Sequence, residues 1–192
     1  RTPLSWTARN GLDEVVRLLP RNEHLNPGTP DNYGRTPLLW AIKNGRGGVV
    51  KILLAGDVNL DTPYKDDQTP LFTPLKWAAH EGHEDVVRLL LGREDVIPNK
   101  PNCFGETPLH WAARCGHEGV LKLLLGRKDV SPDSPSMWGE TPLWTAASRG
   151  HEGVVKLLLK RQEVDPNVTD CNREPALSCA TRNKREGVVA LL

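Results

Sequence analysis

The triplet Thr-Pro-Leu occurs five times, at Thr2-Pro3-Leu4, Thr36-Pro37-Leu38, Thr73-Pro74-Leu75, Thr107-Pro108-Leu109 and Thr141-Pro142-Leu143, with steps of 34, 37, 34 and 34 residues. Self-similarity at such a period constrains the fold more than composition does. It points to one small unit made repeatedly, each copy burying its apolar face against its neighbours. Behind each triplet stand an aromatic and small-residue cluster, a glycine and an aliphatic run. Thr107 to Leu125 reads TPLHWAARCGHEGVLKLLL, and Thr141 to Leu159 reads TPLWTAASRGHEGVVKLLL. A sixth, worn copy begins at Glu174, with Pro175 in the threonine position and Lys184 in place of the glycine.

The local chemistry assigns each part a role. Threonine caps a helix through its hydroxyl, and proline fits the first helical position, where a missing N–H costs nothing. Gly116 and Gly150 end that helix, where a positive φ is needed. A second helix follows, with Val120, Leu121, Leu123 and Leu124 as its expected buried stripe. Segments such as Asp129 to Gly139, rich in Pro, Ser and Asp, read as loop and turn. Neither helix is long enough to stand alone, so the units must stack. Pro20 takes the last leucine position of the first unit's second helix, which is expected to end about one turn early.

The motif Thr107-Pro108-Leu109-His110-Trp111-Ala112 resembles the signature of the ankyrin repeat family, met here in full and four more times in weaker form. The resemblance implies an all-α solenoid of about six stacked helix-turn-helix units with hairpin-like connections. The expected units are 1–34, 35–68, 69–105, 106–139, 140–173 and a truncated 174–192. It implies a single repeat domain that binds a protein partner through hairpin tips and the inner-helix groove, with no catalysis and no cofactor. The tryptophan after the triplet, with GHEGVVKLLL and REDV-x-PN, also resembles arrays at the ends of large fungal receptor-like proteins that carry a nucleotide-binding domain. The second function class is a structural or autoregulatory spacer within a larger protein. The chain opens at Arg1 without a methionine, inside the repeat pattern, so it reads as a piece of something longer.

Charge narrows the partner. The 25 basic and 24 acidic residues nearly cancel, which gives no general electrostatic case for nucleic acid. No apolar stretch approaches the roughly 20 residues that span a bilayer. Cys103, Cys115, Cys171 and Cys179 form no zinc-type spacing, and a reducing compartment, cytoplasm or nucleus, is expected. His83, His117 and His151 recur once per repeat; columns about 10 Å apart cannot share one metal ion, so they read as polar starts of the second helix. Nucleophile–base order and phosphate loops are absent from the sequence. A monomer is expected.

Trp6, Trp40, Trp77 and Trp111 share one repeat position and read as core. The fifth unit places Trp144 one residue earlier, with Thr145 at the ladder site, so Trp144 is expected partly exposed on the inner face. The pair of positions after the two alanines faces the groove in family members. Here it runs Arg9, Lys43, His80, Arg114, Ser148, Arg182, beside Asn10, Asn44, Glu81, Cys115, Arg149 and Asn183. This mostly basic column favours an acidic or phosphorylated, extended segment. At the expected hairpin tips, Tyr33, Phe104 and Trp138 stand before the turn glycine, where small polar residues are usual. The candidate binding set is Tyr33, Arg35, Lys43, Phe72, Phe104, Glu106, Arg114, Trp138, Glu140, Trp144 and Arg149. The tip rings either meet a partner or stiffen the stack; both readings stand.

One step of 37 residues contains the doublet Thr69-Pro70-Leu71-Phe72-Thr73-Pro74-Leu75. Trp77-Ala78-Ala79 matches Trp111-Ala112-Ala113, which assigns the helix start to Thr73-Pro74. The first copy is expected to bulge outward and to present Phe72 near the hairpin side.

Overall fold

Thr2, Thr36, Thr73 and Thr141 each adopt an extended backbone, and each side chain accepts the N–H three residues on, with proline opening the helix that follows. This cap sets the inner helices of a computed structural model that describes residues 2–18, 30–31, 34–56, 64–66 and 69–192. Two compact units divide the chain, Arg1–Val96 and Ile97–Leu192. The first holds α1 (Pro3–Asn10), α2 (Asp13–Leu18), α3 (Pro37–Lys43), α4 (Gly47–Leu54), β1 (Tyr64–Asp66), β2 (Thr69–Phe72), α5 (Pro74–Glu81) and α6 (Glu84–Leu91). The second holds α7 (Pro108–Cys115), α8 (Glu118–Leu125), α9 (Pro142–Arg149), α10 (Glu152–Leu159), α11 (Ala176–Arg182) and α12 (Glu186–Val189). Both are all-α repeat stacks of the solenoid class.

Among the described residues no helix is longer than eight residues, so its stability comes from its neighbours. In the first unit α1 packs on α3 and α3 on α5, while α2 packs on α4 and α4 on α6. In the second, α7, α9 and α11 form the inner row and α8, α10 and α12 the outer row. Alanines make the inner rows close: Ala8, Ala41, Ala78, Ala112, Ala146 and Ala180 are all fully buried. The outer helices bury Val120, Leu121, Leu124 and Leu125, and Leu123 is only half-buried. This corrects the expected stripe. At about 100° per residue, positions i, i+1, i+4 and i+5 share one face, and Leu123 falls on its flank.

Gly11, Gly82, Gly116 and Gly150 close the inner helices with φ near +75° to +83°, as the pattern requires. Space forbids a side chain as well. A Cβ on Gly116 would lie 2.7 Å from the His151 ring, and one on Gly45 would lie 2.7 Å from His83. The imidazoles come this close because each reaches back to a helix-end carbonyl of the preceding repeat. His83 Nε2 lies 3.3 Å from Lys43 O, and His151 Nε2 lies 3.0 Å from Arg114 O. Arg46 and Arg185 do the same with their Nε–H, donating to Arg9 O and Ser148 O. His83 and His151 thus satisfy orphan carbonyls at inner-helix ends.

The doublet resolves as expected at its second copy, where Thr73 caps α5. The first copy is not a loose bulge but strand β2, antiparallel to β1 with Tyr64 opposite Phe72 and Asp66 opposite Thr69. Four extra residues supply a second strand, and pairing satisfies backbone groups that a bulge would leave to water. The side chain of Phe72 and all of Asp67 and Gln68 lie outside the described residues. So does Pro20; the first outer helix is described to Leu18.

The last repeat departs from the pattern at the substituted positions. Pro175 offers no capping hydroxyl, and Lys184 holds φ +56° where other repeats have glycine. Arg173, in the turn-glycine position, holds φ +62°. Left-handed backbone strains an L-residue, so Lys184→Gly is expected to stabilise the chain by about 1 kcal/mol, read as a raised denaturant midpoint. No gain on that substitution would mean that the lysine conformation is unstrained.

Candidate interaction surface

In the first unit the tryptophan ladder doubles as a platform for cations. Trp40 is buried, with the Arg9 guanidinium 5.1 Å and the Arg35 guanidinium 4.9 Å from its ring centroid. Its Nε1–H donates to Asp31 Oδ2 at 3.1 Å, and Asp31 Oδ1 accepts the Arg35 N–H at 2.9 Å. Lys43 Nζ sits 4.6 Å from the centroid of Trp77, which is also buried. Arg35, Leu39, Trp40, Lys43 and Trp77 line one shallow concavity. Cation–π contacts of this kind hold the cations in place over the rings. The ladder is uneven, however. Trp111 is half-buried and Trp6 is 54% exposed, against the expectation of core. Arg9 and Lys43, which cover Trp40 and Trp77, come from the preceding repeat.

In the second unit the same columns carry paired charge. Glu106 is almost wholly buried, and its carboxylate meets Arg114, which also lies 4.6 Å over Trp111. Asn102 holds Glu106 from behind: its Nδ2 donates to Glu106 Oε2 at 3.0 Å, and its Oδ1 accepts the Glu106 N–H at 2.8 Å. One repeat-pair on, Glu174 takes Arg182 at 2.6 Å. Both are pairs eight residues apart, from hairpin to inner helix. In the repeat between them Ser148 replaces the arginine, and its hydroxyl donates to Thr145 O.

Among the described residues, Glu140 is therefore left without an ion pair or side-chain hydrogen bond. Burial pushes its carboxyl above the ordinary range; Arg114 and Arg149 pull it down, and Glu106 and Asp170 push it up. A raised native value means that stability is fullest below the unfolded value and is lost as pH rises through the native one. Glu140→Gln is accordingly expected to raise the melting temperature at pH 7 and to lose that advantage by pH 3. The gain is at most about 1 kcal/mol, since water still screens the group. Equal melting curves at both pH values would contradict the assignment.

His110 Nε2 faces Glu140 O at 3.1 Å, and its Nδ1 accepts the Thr107 N–H at 3.1 Å. A carbonyl only accepts, so the ring is the neutral Nε2–H tautomer and bridges two repeats. Trp144, expected partly exposed, is buried and takes over this task, its Nε1–H donating to Glu174 O at 3.1 Å. The indole turns inward because it supplies the donor that the next hairpin requires.

The hairpin tips of this unit meet one another. Phe104 and Trp138 lie 5.2 Å apart, ring to ring, tilted by 31°. Their backbones join too: Met137 N–H donates to Phe104 O, and Cys171 N–H donates to Trp138 O. Trp138 stays 38% exposed and its neighbour Met137 62% exposed. Tyr33 lies outside the described residues.

The family model described as ankyrin repeats (3 copies) matches residues 1–66, 61–136 and 128–192. The chain belongs to the ankyrin repeat family. Among curated proteins none matches it. Ankyrin repeats are a non-catalytic scaffold class that generally mediates protein–protein interaction through repeat surfaces.

Of the candidate residues in these ankyrin repeats, the structure brings Arg35 and Lys43 to one concavity, Glu106 to Arg114, and Phe104 to Trp138. Arg149 is exposed on α9. Two features escaped sequence reasoning. Met137 widens the apolar tip, and the signal was its place beside Trp138 in a turn. Lys76 is fully buried at the repeat position of His110 and Trp144, although a lysine after Thr-Pro-Leu reads as surface. Among the described residues no group of three or more His, Cys, Asp or Glu is placed to hold a metal ion, and no helix is long and apolar enough to cross a membrane.

Proposed function

We propose that this array binds a protein partner through its hairpin tips and inner groove. The observation that supports it is the tip cluster of Trp138, Met137 and Phe104, apolar surface that turn chemistry does not need and that typifies interface anchors. In the first unit, Arg9, Arg35 and Lys43 over Trp40 and Trp77 suit an acidic, extended segment. Nucleic acid is a poorer fit for a chain of near-neutral charge. The protein acts as a monomer in a reducing compartment, cytoplasm or nucleus, where its free cysteines persist. In this reading the array, which resembles those of fungal receptor-like proteins, works as part of a larger protein.

The spacer reading draws on the Phe104–Trp138 stack, and one experiment separates the two. Peptides are selected from a random 12-residue library on the native chain, then measured against Phe104→Ala/Trp138→Ala. Partner binding predicts an affinity loss of about 2 kcal/mol or more with a melting temperature that barely moves. A large drop in melting temperature with affinity per folded molecule unchanged assigns the rings to the scaffold.

A further inference from the structure

Three repeats of the second unit place a glutamate at the same hairpin position: Glu106, Glu140 and Glu174. Two of them are answered by an arginine eight residues on, from the inner helix. The third is answered by Ser148, whose hydroxyl is already spent on Thr145 O. Arg149 is exposed and acts on Glu140 only through space, as Arg114 does while bound to Glu106. Asp170 and Glu106 add negative charge nearby. The array thus repeats a carboxylate–guanidinium pair and omits the guanidinium once. The omission lies two residues along the hairpin from Trp138, the most exposed ring of this unit, and three from Met137. A half-buried carboxylate kept without a partner destabilises the fold, and such departures from a chain's own pattern mark functional demand.

We infer that the groove at Glu140 takes an arginine or lysine side chain from the protein partner, with an apolar residue beside it resting on Trp138 and Phe104. The guanidinium of an incoming arginine occupies the place that Arg114 and Arg182 hold in the flanking repeats. It gives Glu140 a charge-assisted, bidentate partner, which an alkyl or neutral polar side chain cannot. Charge complementarity selects a basic residue here, although the basic column by itself suggested an acidic one; in this unit its cations at Arg114 and Arg182 are already neutralised. The inference rests on the partner-binding reading above and names the chemistry of one contact within it.

The test uses a random 12-residue peptide library selected on the full chain, on Glu140→Gln and on Ser148→Arg. Peptides selected by the native chain are expected to be enriched in Arg or Lys next to an aromatic or aliphatic residue, and to bind Glu140→Gln at least about tenfold more weakly, of the order of one charge-assisted hydrogen bond. Ser148→Arg supplies the missing guanidinium within the chain. It is expected to raise the melting temperature and to weaken the same peptides, which a merely structural role for Glu140 does not predict. Peptides that need Trp138 but show no basic enrichment, or that bind Glu140→Gln as tightly as the native chain, overturn the inference and leave the binding function standing. Failure to select any peptide that depends on Phe104 or Trp138 overturns both.

Discussion

Replacing Trp40 with alanine is expected to destabilise the first unit by about 3–5 kcal/mol, the usual cost of a large-to-small change in a packed core. The ring is 5% exposed and is a meeting point of two repeats, with the guanidinium of Arg9 from α1 5.1 Å and that of Arg35 4.9 Å from its centroid. Its loss also removes the indole donor from buried Asp31, which keeps the Arg35 N–H. Unfolding by denaturant, followed by circular dichroism, measures the change. Trp6→Ala is the matched control, because the same repeat position there is more than half exposed; it is expected to cost less than about 1 kcal/mol. Equal losses at the two positions would show that the ladder is buried uniformly and that the covering cations do not matter.

Arg114→Met is expected to cost about 3 kcal/mol, because it strands the buried Glu106 carboxylate. Glu106 is 3% exposed and Arg114 26%, so the arginine loses less hydration than its partner and the cost sits at the lower end for buried pairs. Methionine keeps much of the aliphatic contact with Trp111, which separates charge from packing. Adding Glu106→Gln should recover most of the loss, since an amide beside Asn102 needs no counter-charge. A single mutant within about 0.5 kcal/mol of native would mean that Asn102 alone satisfies the carboxylate. A double mutant no better than the single would place the loss in packing.

The repeat spacing made much of this legible. The threonine caps, the proline at the first helical position and the αL glycines follow from chemistry within a few residues, so the sequence carries them locally, and the choice of Thr73-Pro74 over Thr69-Pro70 follows from alignment with the next repeat. The histidine column read correctly as structural, although its target, a carbonyl of the preceding repeat, lies 37 to 40 residues away. Trp144 was misjudged because how exposed an inner-helix residue is depends on what the next repeat lays over it. The doublet's first copy became a strand because a pairing partner, Tyr64 to Asp66, was available to it.

By itself the sequence determined that this is an all-α stack of ankyrin repeats and where the inner helices begin, because period, caps and breakers are properties of neighbouring residues. Tertiary structure alone decided which columns are paired. Glu106, Glu140 and Glu174 look alike in sequence, yet two are matched by arginine and one is not, since eight residues apart become neighbours only when hairpin folds onto helix. The basic column shows the same limit. Its cations rest on tryptophans in the first unit and pair with glutamates in the second, because charge is fixed by residue type but its availability is fixed by what packs beside it.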